Sequence, residues 1–169
     1  LVAMPIVVDY FRQKGIPKED LVVVSPDAGG VSRARMFAER LGCGLAIIFK
    51  RRPRPEAVEL MDFVGEIEGK TALIVDDIIS TGGTLLKAVE MLKEKGASRV
   101  FAATTHGLFA GDAIEAIQAS SIEEVIVTDT VPISADAKQG KVTVLSVAPL
   151  LGEAIRRNYF HLSVSKLFS

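Results

Sequence analysis

The sequence predicts an α/β sandwich, a mostly parallel and buried sheet whose strands are joined by amphipathic crossover helices. Three observations predict it. Short, branched apolar runs recur along the 169 residues without the alternating polar positions of a half-solvated strand. Helical patterns stand between these runs, two of them ended by glycine, and alternating strand and helix signals imply right-handed crossovers. Apolar residues make up 49% of the chain, ample for the core of one domain.

The elements follow in order. Residues 1–8 are apolar but interrupted by Pro5, without a basic leading segment or a small-residue cleavage site, which argues against a secretion signal. The first residue is Leu1 rather than Met, so the sequence is expected to begin inside a longer protein. A first strand is predicted over residues 21–24, and Ala34, Phe37, Ala38 and Leu41 share one face of a helix that Gly42 ends. A second strand covers residues 45–49. It is followed by Lys50-Arg51-Arg52-Pro53-Arg54-Pro55, four positive charges and two prolines, which denies ladder pairing and reads as a loop leaving a strand end. Residues 72–75 form the next strand. The helix after it buries Leu85, Ala88, Val89 and Leu92, exposes Lys87, Glu90, Lys93 and Glu94, and stops at Gly96. Strands at 100–103, 125–127 and 142–145 and a helix at 113–119 complete the pattern.

Composition excludes several classes of function. The single cysteine, Cys43, allows neither an intramolecular disulfide nor a cysteine-based zinc cluster, and it is read as a small buried apolar residue. With 20 Lys+Arg against 21 Asp+Glu, the chain lacks the charge excess that binds nucleic acid or an anionic membrane. Its apolar runs of four or five residues are far short of the roughly 20 that span a bilayer. Any phosphate binding must be local.

The strongest local signal is Leu73-Ile74-Val75-Asp76-Asp77-Ile78-Ile79-Ser80-Thr81-Gly82-Gly83-Thr84, a buried strand ending in two carboxylates and followed by a turn of small and hydroxyl residues. Glycines let backbone N–H groups approach an anion, Ser80, Thr81 and Thr84 add hydroxyl donors, and the helix beginning near Leu85 aims its N-terminal dipole at the same point. This is a phosphate cradle. Asp76 and Asp77 are acceptors for the vicinal hydroxyls of a sugar or for a divalent metal. In Ser25-Pro26-Asp27-Ala28-Gly29-Gly30-Val31, Asp27 stands at a strand end before two glycines that open an anion nest, or it caps the following helix. His106 lies at a strand end and meets either a ligand or a structural partner, and His161 reads as structural.

At these residues the sequence resembles the type I phosphoribosyltransferase superfamily, and within it ribose-phosphate pyrophosphokinase, the synthetase of phosphoribosyl pyrophosphate (PRPP). The acidic pair and the Ser80-Thr84 loop are similar to the PRPP loop of the whole superfamily. Residues 23–31 resemble the synthetase's pyrophosphate loop, and Lys50-Arg51-Arg52-Pro53 the start of its catalytic flexible loop. Thr105-His106-Gly107-Leu108-Phe109 with Gly111, residues 151–157 and residues 163–168 match in the same order.

The resemblance implies a three-layer parallel-sheet sandwich and an enzyme that moves the pyrophosphoryl group of ATP onto ribose 5-phosphate, giving PRPP and AMP with magnesium. It places Ser80, Thr81, Gly82, Gly83 and Thr84 on the sugar 5-phosphate and Asp76 and Asp77 near the ring hydroxyls. Asp27 then meets Mg2+, Ala28, Gly29 and Gly30 line the pyrophosphate path, and Lys50 and Arg52 are catalytic. Ser80 departs from the acidic residue often found there. The family subunit has two similar domains, and residues 1–169 correspond to the second, with residues 1–11 as the helix leading into it. The implied protein is cytoplasmic and homo-oligomeric through both domains, with no nucleic-acid or membrane partner. Two alternatives remain: a phosphoribosyltransferase that consumes PRPP, and a non-catalytic regulatory relative of the synthetase.

Overall fold

The computed structural model describes residues 1–51, 60–135, 137–138 and 140–167. Among these the chain runs α1 (Met4–Arg12), β1 (Leu21–Ser25), α2 (Val31–Leu41), β2 (Gly44–Arg51), β3 (Leu60–Val64), β4 (Thr71–Ile79), α3 (Gly83–Glu94), β5 (Arg99–Gly107), α4 (Ala113–Ala119), β6 (Glu124–Thr128), β7 (Val142–Leu145) and α5 (Ala148–Tyr159). The strands form one sheet in the order β3-β2-β1-β4-β5-β6-β7. Every pairing is parallel except β2 with β3. It is an α/β sandwich of three layers, as the strand and helix rhythm predicts.

Alternation along the buried strands supplies both helix layers. Val22, Val24, Ala72, Ile74, Val100, Ala102, Val125 and Val127 face α3 and α4, where Leu85, Ala88, Val89, Leu92 and Ile117 meet them. Leu21, Val23, Leu73, Val75, Phe101, Ala103 and Ile126 face the other way, onto Met4, Val7, Val8 and Phe11 of α1 and Ala34, Phe37 and Ala38 of α2. Pro5 sits in the first turn of α1, where the missing N–H has no helical partner to lose. Gly42 closes α2 in the left-handed region, as expected from its place after Leu41.

Four boundaries differ from the sequence reading. β2 continues through Lys50 and Arg51, which pair with Met61 and Leu60 of β3, so the basic tract begins inside a strand rather than in a loop. β3 itself is unexpected, because its five residues follow a proline-rich charged tract and pair antiparallel at the sheet edge. β4 and β5 each extend about four residues beyond their apolar runs. Helix α3 starts at Gly83, two residues before the predicted start near Leu85. Cys43 is half-buried at the rim of the α2 side rather than a core residue.

The topology fixes where a ligand can bind. From β1 the chain crosses through α2 to β2 on one side, and from β4 it crosses through α3 to β5 on the other. β1 and β4 are neighbours, paired Val22 with Ala72 and Val24 with Ile74. The two crossovers therefore diverge at that seam and leave a crevice beyond the carboxyl ends of β1 and β4.

Candidate functional site

A cleft of about 330 Å³ occupies that crevice, lined by Pro26 and Asp27 from the end of β1 and by Asp76, Asp77 and the whole stretch from Ile78 to Leu85. Ala102 and Thr104 of β5 form part of its floor. The sequence-predicted Asp27, Asp76, Asp77, Ser80, Thr81, Gly82, Gly83 and Thr84 are thus brought to one place by two loops about 50 residues apart in sequence.

The loop after β4 is shaped by its backbone. Gly82 takes φ +77°, a conformation that L side chains rarely adopt, and its carbonyl accepts the N–H of Leu86 to begin α3. The N–H groups of the first turn therefore point back toward Ser80 and Thr81, where an anion would be held by them and by the helix dipole. The turn after β5 buttresses this loop: Leu108 N–H donates to the Ile79 carbonyl at 2.9 Å and Ala110 N–H to the Ser80 carbonyl at 3.0 Å. That gives the Thr105-His106-Gly107-Leu108-Phe109 motif a mechanical role.

The loop after β1 is held from within. Ser25 Oγ donates to the Asp27 carbonyl at 2.7 Å, and Gly30 N–H donates to Asp27 Oδ1 at 2.8 Å. Asp27 thus shapes the loop that leads into α2 while lining the cleft, but the N-cap of α2 is Gly30, with no side-chain cap, so Asp27 does not cap the helix. A Cβ at Gly30 would lie 2.8 Å from Ser25 Oγ, which is why this position accepts no side chain. Ala28 and Gly29 are exposed and are not among the residues that line the cleft.

Arg33, on the first turn of α2, was not singled out from the sequence. Its Nη1 donates to Asp76 Oδ1 at 2.8 Å, and its Nη2 pairs with Asp77 Oδ2 at 2.9 Å. One guanidinium fork therefore holds both carboxylates. Asp76 Oδ1 also accepts the N–H of Asp77. Burial pushes the Asp76 carboxyl above its ordinary range and the Asp77 carboxyl adds to the rise, while the Asp77 N–H and Arg33 oppose it. A surface arginine on a helix gives no such signal in sequence; only the packing of α2 against β4 reveals it.

His106 is the last residue but one of β5, its Nδ1 2.8 Å from Thr130 Oγ1, which in turn donates to the Thr105 carbonyl. It lines a second, more apolar cleft of about 410 Å³ between α1, α2 and β5, which shares Asp76 and Thr104 with the first. Lys50 stands near the end of β2, and Arg52 lies outside the described residues.

The comparisons with known proteins agree with this geometry. Residues 50–169 match the model of the phosphoribosyl synthetase-associated domain. The chain belongs to the phosphoribosyl synthetase family. Over all 169 residues it is 55% identical to ribose-phosphate pyrophosphokinase of Aquifex aeolicus and 53% identical to that of Corynebacterium ammoniagenes, covering 54% and 53% of their lengths. It thus spans about half the length of the curated relatives it matches. Among solved structures, phosphoribosylpyrophosphate synthetase from Mycobacterium smegmatis superposes with a TM-score of 0.85 at 40% identity, over 94% of this chain and 51% of that one. The APRTase of Giardia lamblia shares the fold, with a TM-score of 0.56 at 20% identity over 74% of this chain and 77% of that one. The sandwich is therefore of the type I phosphoribosyltransferase kind.

Among the described residues no group of three or more His, Cys, Asp or Glu side chains is gathered as a metal site. Asp27 lines the cleft, a hard oxygen ligand of the kind that holds Mg2+ when phosphates complete its shell. No helix among them is long and apolar enough to cross a membrane.

Proposed function

We propose that this chain is the sugar-phosphate-binding half of a ribose-phosphate pyrophosphokinase, which transfers the pyrophosphoryl group of ATP to ribose 5-phosphate. The single observation that carries this reading is the phosphate cradle at the N-terminus of α3, set beside an acidic pair at the seam between β1 and β4.

In this reading the backbone N–H groups and hydroxyls of Ser80, Thr81, Gly82, Gly83 and Thr84 hold the 5-phosphate, and Asp76 and Asp77 accept the ring hydroxyls. The anomeric hydroxyl is then directed along the crevice toward Asp27, Ala28, Gly29 and Gly30, where the β,γ-phosphates of ATP lie. The oxygen of that hydroxyl attacks the β-phosphorus and gives up its proton to solvent, the bond from the β-phosphorus to the α,β-bridging oxygen breaks, and AMP departs with that oxygen. Mg2+, when bound, supplies charge neutralisation for the phosphates, and Asp27 would hold it. Lys50 and Arg52 stabilise the charge that develops on the transferred group, a task of positioning and electrostatics rather than covalent catalysis.

In this reading residues 1–169 form one phosphoribosyltransferase-like domain and a preceding domain supplies most of the ATP site, which the greater length of the relatives supports. The working protein is a cytoplasmic homo-oligomer joined through both domains, with no nucleic-acid or membrane partner. Identity of 53–55% along the whole chain with pyrophosphokinases, against 20% with an adenine phosphoribosyltransferase, favours synthesis of PRPP over its consumption. Retention of Lys50, Arg52 and the Ser80–Thr84 loop favours a catalytic protein over a regulatory relative.

The test follows AMP release from ATP with ribose 5-phosphate and Mg2+. The full-length protein should turn over, and Lys50→Ala or Arg52→Ala should lower its rate by about a hundredfold while leaving ribose 5-phosphate affinity nearly unchanged. The 169-residue chain alone should release no AMP, because losing one side of the site removes a proximity effect of about 7 kcal/mol or more. Robust AMP formation by the chain alone, abolished in an Asp76→Ala, Asp77→Ala variant, would contradict the half-site account.

A further inference from the structure

Thr104 stands at the floor of the cleft, on β5, with only 3% of its surface exposed. Its Oγ1 is the one buried side-chain polar atom among the described residues with no hydrogen-bond partner. Its neighbours contrast with it: Thr128 Oγ1 donates to the Thr105 carbonyl at 2.7 Å, and Thr130 Oγ1 to the same carbonyl at 3.1 Å. A buried hydroxyl without a partner is a standing cost to the folded state, and valine would fill the same volume on a strand without it.

Two features of the fold connect that hydroxyl to the cleft. Thr104 pairs with Asp76 across β4 and β5, so the two residues stand side by side, lining the cleft of the Ser80–Thr84 loop and also the second cleft beside α1 and α2. The pairing of β5 with β6 also slips here: Ala103 pairs with Ile126 and His106 with Thr128, three residues against two. One extra residue is therefore accommodated at Thr104 and Thr105, a bulge of the kind that re-aims side chains beside binding sites.

We propose that Thr104 is a further ligand-contacting residue of the cleft, its hydroxyl hydrogen-bonding an oxygen of a bound phosphorylated pentose. This rests on the reading of the cleft as a sugar-phosphate site. The hydroxyl has no partner within the protein because the ligand provides it, so Thr104 exchanges stability of the free protein for affinity.

The experiment compares Thr104→Val, isosteric but without the hydroxyl, and Thr104→Ser, which keeps it, in the full-length protein. Ribose 5-phosphate and, separately, inorganic phosphate are titrated, and thermal unfolding is followed without ligand. Thr104→Val should bind ribose 5-phosphate at least about fivefold more weakly, as expected for one lost hydrogen bond, with an unfolding midpoint equal to or above that of the unaltered protein. Thr104→Ser should bind within about twofold of it. Weakening of both probes would place the hydroxyl on the phosphate, and weakening of ribose 5-phosphate alone would place it on the sugar. Equal affinity of Thr104→Val and the unaltered protein for both probes would overturn the proposal and leave Thr104 a hydrated strand residue. Weaker binding with a lowered midpoint would also overturn it, since the loss would then come from damage to the strand. Failure of the unaltered protein to bind ribose 5-phosphate would instead strike the sugar-phosphate reading itself.

Discussion

Arg33 bears on the site through a hydrogen bond to Asp76 and an ion pair with Asp77, neither of which a local motif encodes. By gripping Asp76 and Asp77 together it cancels one of their two charges, so an anionic sugar phosphate meets a site with a smaller repulsive field. Arg33→Met should therefore weaken ribose 5-phosphate binding about tenfold, the scale of one charge-assisted hydrogen bond, and inorganic phosphate binding in the same direction. Calorimetric titration of both ligands checks this, and unchanged affinity for both would mean that the charge of Arg33 does not act on the site. Gly82 gives a cleaner prediction. Its φ of +77° makes Gly82→Ala strained whatever the space, so stability should fall by about 1–2 kcal/mol, read as a lower urea midpoint. Neither Arg33 nor Thr104 was legible in the sequence. An arginine on the polar side of a helix looks solvated, and a threonine inside an apolar strand looks like core. The cradle, by contrast, was legible, since its chemistry is carried by consecutive residues.

At the scale of elements, the sequence reading found strands where both faces are buried and lost them where function begins. The polar ends of β4 and β5, from Asp76 to Ile79 and from Thr104 to Gly107, are strand by pairing although no apolar run marks them. Helix α5 was noted only as a motif, because none of its residues is buried. The opposite end of the sheet is tied by Glu124, whose carboxylate accepts Tyr10 Oη from α1 at 2.6 Å and Thr143 Oγ1 from β7, and pairs with Lys14. Burial alone would raise its pKa, but the hydrogen bonds from Lys14, Thr143 and Tyr10 outweigh it and hold the carboxyl below its ordinary value. Because the folded pKa is depressed, the stabilisation is fully present above the unfolded value of 4.5 and is lost as pH falls through the folded one. Glu124→Gln should cost about 1–3 kcal/mol at pH 7, and the gap from the unaltered protein should narrow below about pH 4. Urea unfolding across that range measures it; a gap independent of pH would mean that the charge is immaterial.

For the whole molecule, the central claim is that divergence of the crossovers at β1 and β4 creates a sugar-phosphate site to which both flanking loops contribute. On the proposed reading the cradle needs nothing beyond this chain, whereas transfer from ATP would need the remaining length of the relatives. Binding and catalysis should therefore separate, and binding is the more direct test. Ribose 5-phosphate titrated into the isotopically labelled chain should shift the backbone amides of Gly82, Gly83 and Thr84 progressively to saturation. Smaller shifts should appear at Asp76 and Asp77 and none at Glu124, at the far end of the sheet. Undisturbed Gly82, Gly83 and Thr84 resonances at millimolar ligand would contradict the account.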